Sequence, residues 1–218
     1  RQQKGFNTAL MMTLQPDTKA EGPNERNTEQ GFKRAFSDLS DGHINEINVD
    51  YFQYFDEIVQ ILLDHEIVPV FQPVFHGYGW KGLEVLGRNI KPEEYVRYCK
   101  YLLARYGSSP AFWLLGGDHN GKDPGILESG KMMLEWDCYD QPTGIHYNPC
   151  DDYLATWAGG DREHCFHYNK TFQEAVWLDF QWAQTGHDSE HLYHKVERMY
   201  DNLPVKAVAN GEPTYEGM

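Results

Sequence analysis

The sequence predicts an α/β protein built on a parallel sheet, and two observations carry that expectation. Six short apolar runs of strand length are separated by helical segments or long loops. A chain that re-enters a sheet in the same direction must cross over it between strands. The runs are also apolar at successive positions rather than at every second one, as in strands covered on both faces. A doubly wound sheet and a (β/α)8 barrel both satisfy the pattern. No G-x-G-x-x-G or G-x-x-x-x-G-K-[ST] follows any run, which removes the main nucleotide-binding versions.

The first run is Phe6–Leu14, "FNTALMMTL". A polar loop with Gly22-Pro23 as its breaker follows. Phe52, Phe55, Ile58, Val59 and Leu62 then recur at helical spacing behind Asp50, a suitable cap. Ile67–Phe75 is the second run, and its two prolines suit strand ends or a distorted strand. Lys91–Gly107 carries Pro92 and two glutamates in its first turn and Arg105 near its end, the polarity of a helix. "AFWLLGGDHN" is the third run with its exit loop. A weaker helical segment, interrupted by Gly130, leads to "TGIHYNP". An irregular insert spans residues 150 to 170. "VWLDFQWAQTGH", a helix capped by Asp188 or Ser189, and "PVKAVANGE" complete the order.

The 218 residues are 40% apolar and 14% aromatic, which suits one large domain with a real core. No internal repeat or domain boundary shows. Nineteen basic residues face 33 acidic ones, a net charge of −14. That field repels polyanions, so nucleic acid is not an expected partner. No run approaches the roughly 18 apolar residues that span a membrane. Cys99, Cys138, Cys150 and Cys165 form no C-x-x-C pair and select no disulfide framework.

Ionisable side chains stand at four consecutive strand exits: Asp118, His146, His187 and Glu212. In a parallel barrel all the carboxyl ends open onto one face, which holds the active site. Residues distant in sequence would then share one pocket. A lone His or Asp at a strand end is more often a cap, so the weight lies in four occurring in register. Asp118 and Glu212 form the pairing that cleaves glycosidic bonds. One acid protonates the leaving oxygen, and the other carboxylate attacks the anomeric carbon or activates water. Trp113 and Trp182 are candidate apolar neighbours for the acid. A rival reading places a divalent ion between Asp118, His146 and His187. Against it, no H-E-x-x-H and no early H-x-H occurs. His191 and His194 suit a solvated helix face.

"FWLLGGDHN", "LDFQWAQTGH" and "PVKAVANGEPTYEG" resemble, in that order, segments of the apiosidase-like glycoside hydrolases, the group around glycoside hydrolase family 140. The likeness runs from about Phe6 to Gly217, and "FNTALMM" resembles an early strand of the same domain. It implies a (β/α)8 TIM barrel of which strands 2 to 7 are readable: one catalytic domain over residues 1–218, truncated at both ends. It implies a retaining hydrolase of complex, plant-type glycans, needing no cofactor and no metal. Asp118 would be the acid/base and Glu212 the nucleophile. His187 and Tyr215 would line the sugar site. His76, Trp80, His119, Asn120, His146 and Gln181 complete the expected substrate-binding set. His119 stands where an arginine is expected, a departure that bears on substrate choice. A non-catalytic carbohydrate-binding barrel is the third reading. A glycan substrate implies a secreted, periplasmic or cell-surface location.

Overall fold

The computed structural model describes residues 2–13, 35–38, 44–74, 76, 91–147, 170–185 and 192–213. Eight strands and four α-helices occur among them: β1 Thr8–Met12, β2 Phe36–Asp38, β3 Asn45–Ile47, α1 Val49–Asp64, β4 Val68–Gln72, α2 Pro92–Tyr106, β5 Phe112–Leu114, α3 Ile126–Trp136, β6 Thr143–Tyr147, β7 Phe180–Gln184, α4 Leu192–Tyr200 and β8 Ala207–Glu212. None of the described helices is long and apolar enough to cross a membrane.

Six strands form one parallel sheet in the order β1-β4-β5-β6-β7-β8. Each new strand adds to the same edge, so the winding never reverses. A doubly wound sheet reverses at a switch point; a barrel does not. The sheet is the curled, incomplete TIM barrel that the resemblance implies. Burial follows position. Every residue of β6, in the middle, is buried, whereas β1 and β8 hold only exposed and half-buried residues.

Pro69 lies inside β4, opposite Ala9 of β1. It costs no ladder bond there. Val68 N–H donates to Asn7 on the β1 side, and β4 first pairs with β5 at Val70. The proline nitrogen therefore points where no partner strand yet runs. Pro73 falls just past the strand end.

Side chains alternate between two layers. Phe71, Trp113, Ile145 and Ala183 point outward and pack under the helices. Val70, Leu114 and Phe180 point inward, with Phe112 and Trp182 against them. The outer layer is the larger. Helix α1 gives it Tyr51, Phe52, Phe55 and Val59, and α2 gives Tyr95, Tyr98, Cys99, Leu102, Leu103 and Tyr106. Each fully buried large side chain stabilises by roughly 1.5–3 kcal/mol. Burial pushes the Cys99 thiol up to about 12, so it packs as an apolar group.

Four local expectations change. Helix α1 is capped by Asn48, whose Oδ1 accepts from Asp50 N at 3.2 Å; Asp50 lies inside the first turn. Helix α3 runs through Gly130 without a break. A Cβ there would lie 2.2 Å from the Trp177 ring, so the glycine makes room for an indole. Only Phe180–Gln184 of "VWLDFQWAQTGH" is strand, because residues 171–177 are mostly turn. The antiparallel pair β2–β3 was not expected from sequence; strands of three residues are too short to show a period. The insert at 150 to 170, apart from Lys170, and the cap of α4 lie outside the described residues.

Candidate active site

The carboxyl ends of β4, β5, β6 and β8 meet around a group of buried polar side chains. Asp118 follows β5 and is only 2% exposed. Its backbone is left-handed, with φ 49°. Asp tolerates that region better than most residues, but at some cost, and such strain collects at functional sites. The preceding Gly117 supplies space rather than an unusual φ. A Cβ on it would lie 2.2 Å from Gln72 Nε2 and 2.6 Å from the Val74 carbonyl oxygen.

His76 holds Gly117 by both ends. Its backbone N–H donates to Gly117 O at 2.8 Å, and Gly117 N–H donates to His76 Nδ1 at 3.1 Å. An accepting Nδ1 puts the proton of the neutral ring on Nε2. Burial lowers the His76 pKa, with His119 adding to the effect and Asp123 opposing it. The imidazole is thus held neutral, edge-on to Tyr95 with ring centres 5.7 Å apart. The loop that carries Asp118 is fixed from below.

The Asp118 carboxyl is raised well above its ordinary range. Burial is the main cause, and the charge of Glu212 adds to it. That second cause brings the two acids into one electrostatic neighbourhood. Asp118 Oδ1 has no hydrogen-bond partner among the described residues. Glu212 differs: it is more exposed, at 17%, and its Oε2 lies 3.0 Å from His146 Nε2. The contact is close but sits off the axis of a hydrogen bond. His146, on β6, is 1% exposed, and its Nδ1 lies 2.9 Å from Gln72 Oε1.

Trp182 lies opposite His146 in the β6–β7 register, with ring centres 6.4 Å apart. A Cβ on Gly211 would fall 1.7 Å from its indole, so the residue before Glu212 must be small. Trp182 thus forms an apolar wall next to the carboxylate. Trp113, the other expected neighbour, is turned to the outer layer, where its Nε1 donates to Gln141 at 2.8 Å.

Asp118, Glu212, His146 and His76 share this end of the sheet. His119 follows Asp118, and its Nδ1 donates to Asp123 Oδ2 at 2.7 Å. Asn120 shapes the loop: its Oδ1 accepts from Lys122 N at 2.9 Å, and its carbonyl accepts from Thr171 at 2.7 Å. Gln181 does not join the group. Strand alternation turns it to the helix-covered side, where its Nε2 donates to Gln173 Oε1. Trp80, His187 and Tyr215 lie outside the described residues. Sequence reasoning missed Gln72 and Asp123. Gln72 did leave a signal, as a polar residue inside the apolar run "IVPVFQPVF". Among the described residues no three His, Cys, Asp or Glu side chains are grouped as a metal cage.

The family model described as "Apiosidase-like, catalytic domain" matches residues 1–218. A crystal structure of a glycoside hydrolase family 5 protein from Bacteroides vulgatus ATCC 8482 superposes with a TM-score of 0.64 at 19% identity, covering 99% of this chain and 44% of that one. A second solved structure, described as a glycoside hydrolase, gives a TM-score of 0.63 at 18% identity, covering 99% of this chain and 46% of the other. At these identities the likeness is one of fold. No protein of curated function matches the chain. The chain spans a little under half the length of both solved structures. With the family match running over its whole length, the chain belongs to the apiosidase-like catalytic domain family.

Proposed function

We propose that this protein is a retaining glycoside hydrolase acting on a complex, plant-type glycan, with Asp118 as acid/base and Glu212 as nucleophile. The observation that carries the reading is the division of labour between two neighbouring carboxyls. Burial and the Glu212 charge favour the protonated form of Asp118. Glu212 is more exposed and faces an imidazole, which suits the ionised form. A buried carboxyl that holds its proton beside a more exposed carboxylate suits an acid and its partner.

The chemistry follows. Asp118 gives its proton to the glycosidic oxygen as the C1–O bond breaks. A Glu212 carboxylate oxygen bonds to C1 from the opposite face, and the alcohol leaves. Asp118, now ionised, takes a proton from water, whose oxygen attacks C1 and releases Glu212. Two inversions return the starting configuration, and the sum is hydrolysis. The apolar flank of Trp182 suits a sugar face. A polymeric substrate places the protein in polysaccharide degradation, in a secreted, periplasmic or cell-surface setting.

The test is a panel of plant and bacterial glycans, followed by NMR of the first-formed product. Release of a sugar whose anomeric configuration matches the substrate is expected. An inverted product would remove the nucleophile role from Glu212. Release of no product by the full-length protein would favour a binding barrel.

A further inference from the structure

Gln72 ends β4, is fully buried, and touches both halves of the site. Its amide lies over Gly117, next to Asp118, and against His146, next to Glu212.

The two ends of a primary amide have nearly the same shape, so the surrounding network decides which end faces the ring. With Oε1 toward His146 Nδ1, that nitrogen must carry the proton. Two buried groups are then left badly placed. Gln72 Nε2 has no acceptor, and His146 Nε2 has no hydrogen-bond partner among the described residues. In the neutral ring His146 Nε2 would also turn a lone pair toward a carboxylate oxygen 3.0 Å away. Half a turn of the amide eases both: the donor without an acceptor becomes an oxygen facing a C–H, and the lone pair facing the carboxylate becomes an N–H. Nε2 of Gln72 donates to His146 Nδ1, and the ring proton moves to Nε2, facing Glu212. That contact is then attractive even off-axis, because a partial positive charge meets a negative one.

The far end of the amide agrees. The Gly117 α-hydrogen occupies the direction in which a Cβ would strike the amide at 2.2 Å. A C–H pointing at an amide oxygen is weakly favourable, and one pointing at an amide N–H is not. Val74 O is the acceptor that would argue for the opposite orientation, and Gln72 Nε2 makes no hydrogen bond to it.

We propose that Gln72 is a positioning residue: its amide nitrogen donates to His146 Nδ1 and thereby fixes the imidazole with its proton on Nε2, against Glu212. The consequence for catalysis rests on the hydrolase reading. The tautomer itself does not.

Long-range 1H–15N NMR of the His146 ring, assigned by comparison with His146→Asn, reads the tautomer without any substrate. In the wild-type protein Nε2 should give the protonated signal and Nδ1 the unprotonated one. Gln72→Glu, read at a pH where 13C NMR shows its new carboxyl ionised, offers only acceptors, so the Nδ1 signal should shift to the protonated position. A wild-type ring protonated on Nδ1, or on both nitrogens, overturns the proposal. So does a folded Gln72→Glu variant whose new carboxyl is ionised and whose Nδ1 stays unprotonated. Failure of the glycan panel leaves this measurement intact, and failure here leaves the panel's outcome untouched.

Discussion

Two regions of the molecule bury polar atoms at similar depth and treat them differently. Under the helices, three tyrosine hydroxyls reach into the outer core and find partners. Tyr51 donates to Thr13 O at 2.9 Å, the Tyr98 hydroxyl lies 2.7 Å from Thr13 Oγ1, and Tyr95 donates to Leu115 O. At the carboxyl ends of the strands the accounting fails. Gln72 Nε2, His76 Nε2, Asp118 Oδ1 and His119 Nε2 are buried with no hydrogen-bond partner among the described residues. A buried donor or acceptor without a partner costs about 1–3 kcal/mol. Tyr106 Oη, Ser129 Oγ and Trp177 Nε1 in the helical layer also lack a partner among the described residues, but the strand-end atoms lie on side chains gathered around Asp118 and His146, as in a pocket for something polar.

The comparison breaks most visibly at Glu212. Glu212→Ala should lower turnover on the responsive glycan by on the order of 10⁵-fold or more, as removal of a nucleophile does. Circular dichroism should show the fold unchanged, since the side chain is partly exposed and the core lies elsewhere. Asp118→Asn should cost less, about 10²–10⁴-fold, the usual worth of a general acid. Substrates with very acidic leaving groups should hide much of that loss, because they need no proton.

In the helical layer the same kind of change should act on stability alone. Phe52 is fully buried and packs edge-on against Phe36, Tyr51, Tyr98 and Tyr101. Phe52→Ala should cost about 3–5 kcal/mol, read by denaturant unfolding. Tyr51→Phe removes one paired hydroxyl and should cost about 1 kcal/mol. Neither residue touches the carboxylates.

The smallest effect sharpens the contrast. The Asp118 carboxyl is raised in the folded protein, so the native state holds its proton more tightly than the unfolded chain does. The stability it contributes is fully present below the ordinary pKa of 3.8 and is lost as pH rises through the raised value. Asp118→Asn should therefore raise the neutral-pH Tm by roughly 2–4 °C per kcal/mol recovered, while turnover falls. His76 runs the other way. Its lowered pKa means stability is present above its ordinary value of 6.5 and is lost as pH falls below it.

Much of this was legible in the sequence. The strand runs and their helical separators predicted a parallel sheet, because covered strands cannot hide their composition. Asp118, His146 and Glu212 stood out because strand exits in a parallel fold point one way. Other features were not legible. Gln72 and Gln181 look alike in one dimension, each a glutamine in an apolar strand, and only the register of the pleat sends one to the pocket and the other to the helices. Gly130 read as an interruption because its partner, Trp177, is far along the chain. Pro69 read as a defect because which neighbour strand its nitrogen faces is a three-dimensional fact.

The most direct test of the account is a 13C NMR titration of the Asp118 carboxyl, in the wild-type protein and in Glu212→Gln. The account predicts a wild-type midpoint well above the ordinary range, moving down when the Glu212 charge is removed and staying elevated because burial persists. A midpoint in the ordinary range, or one that ignores the loss of the Glu212 charge, would contradict it.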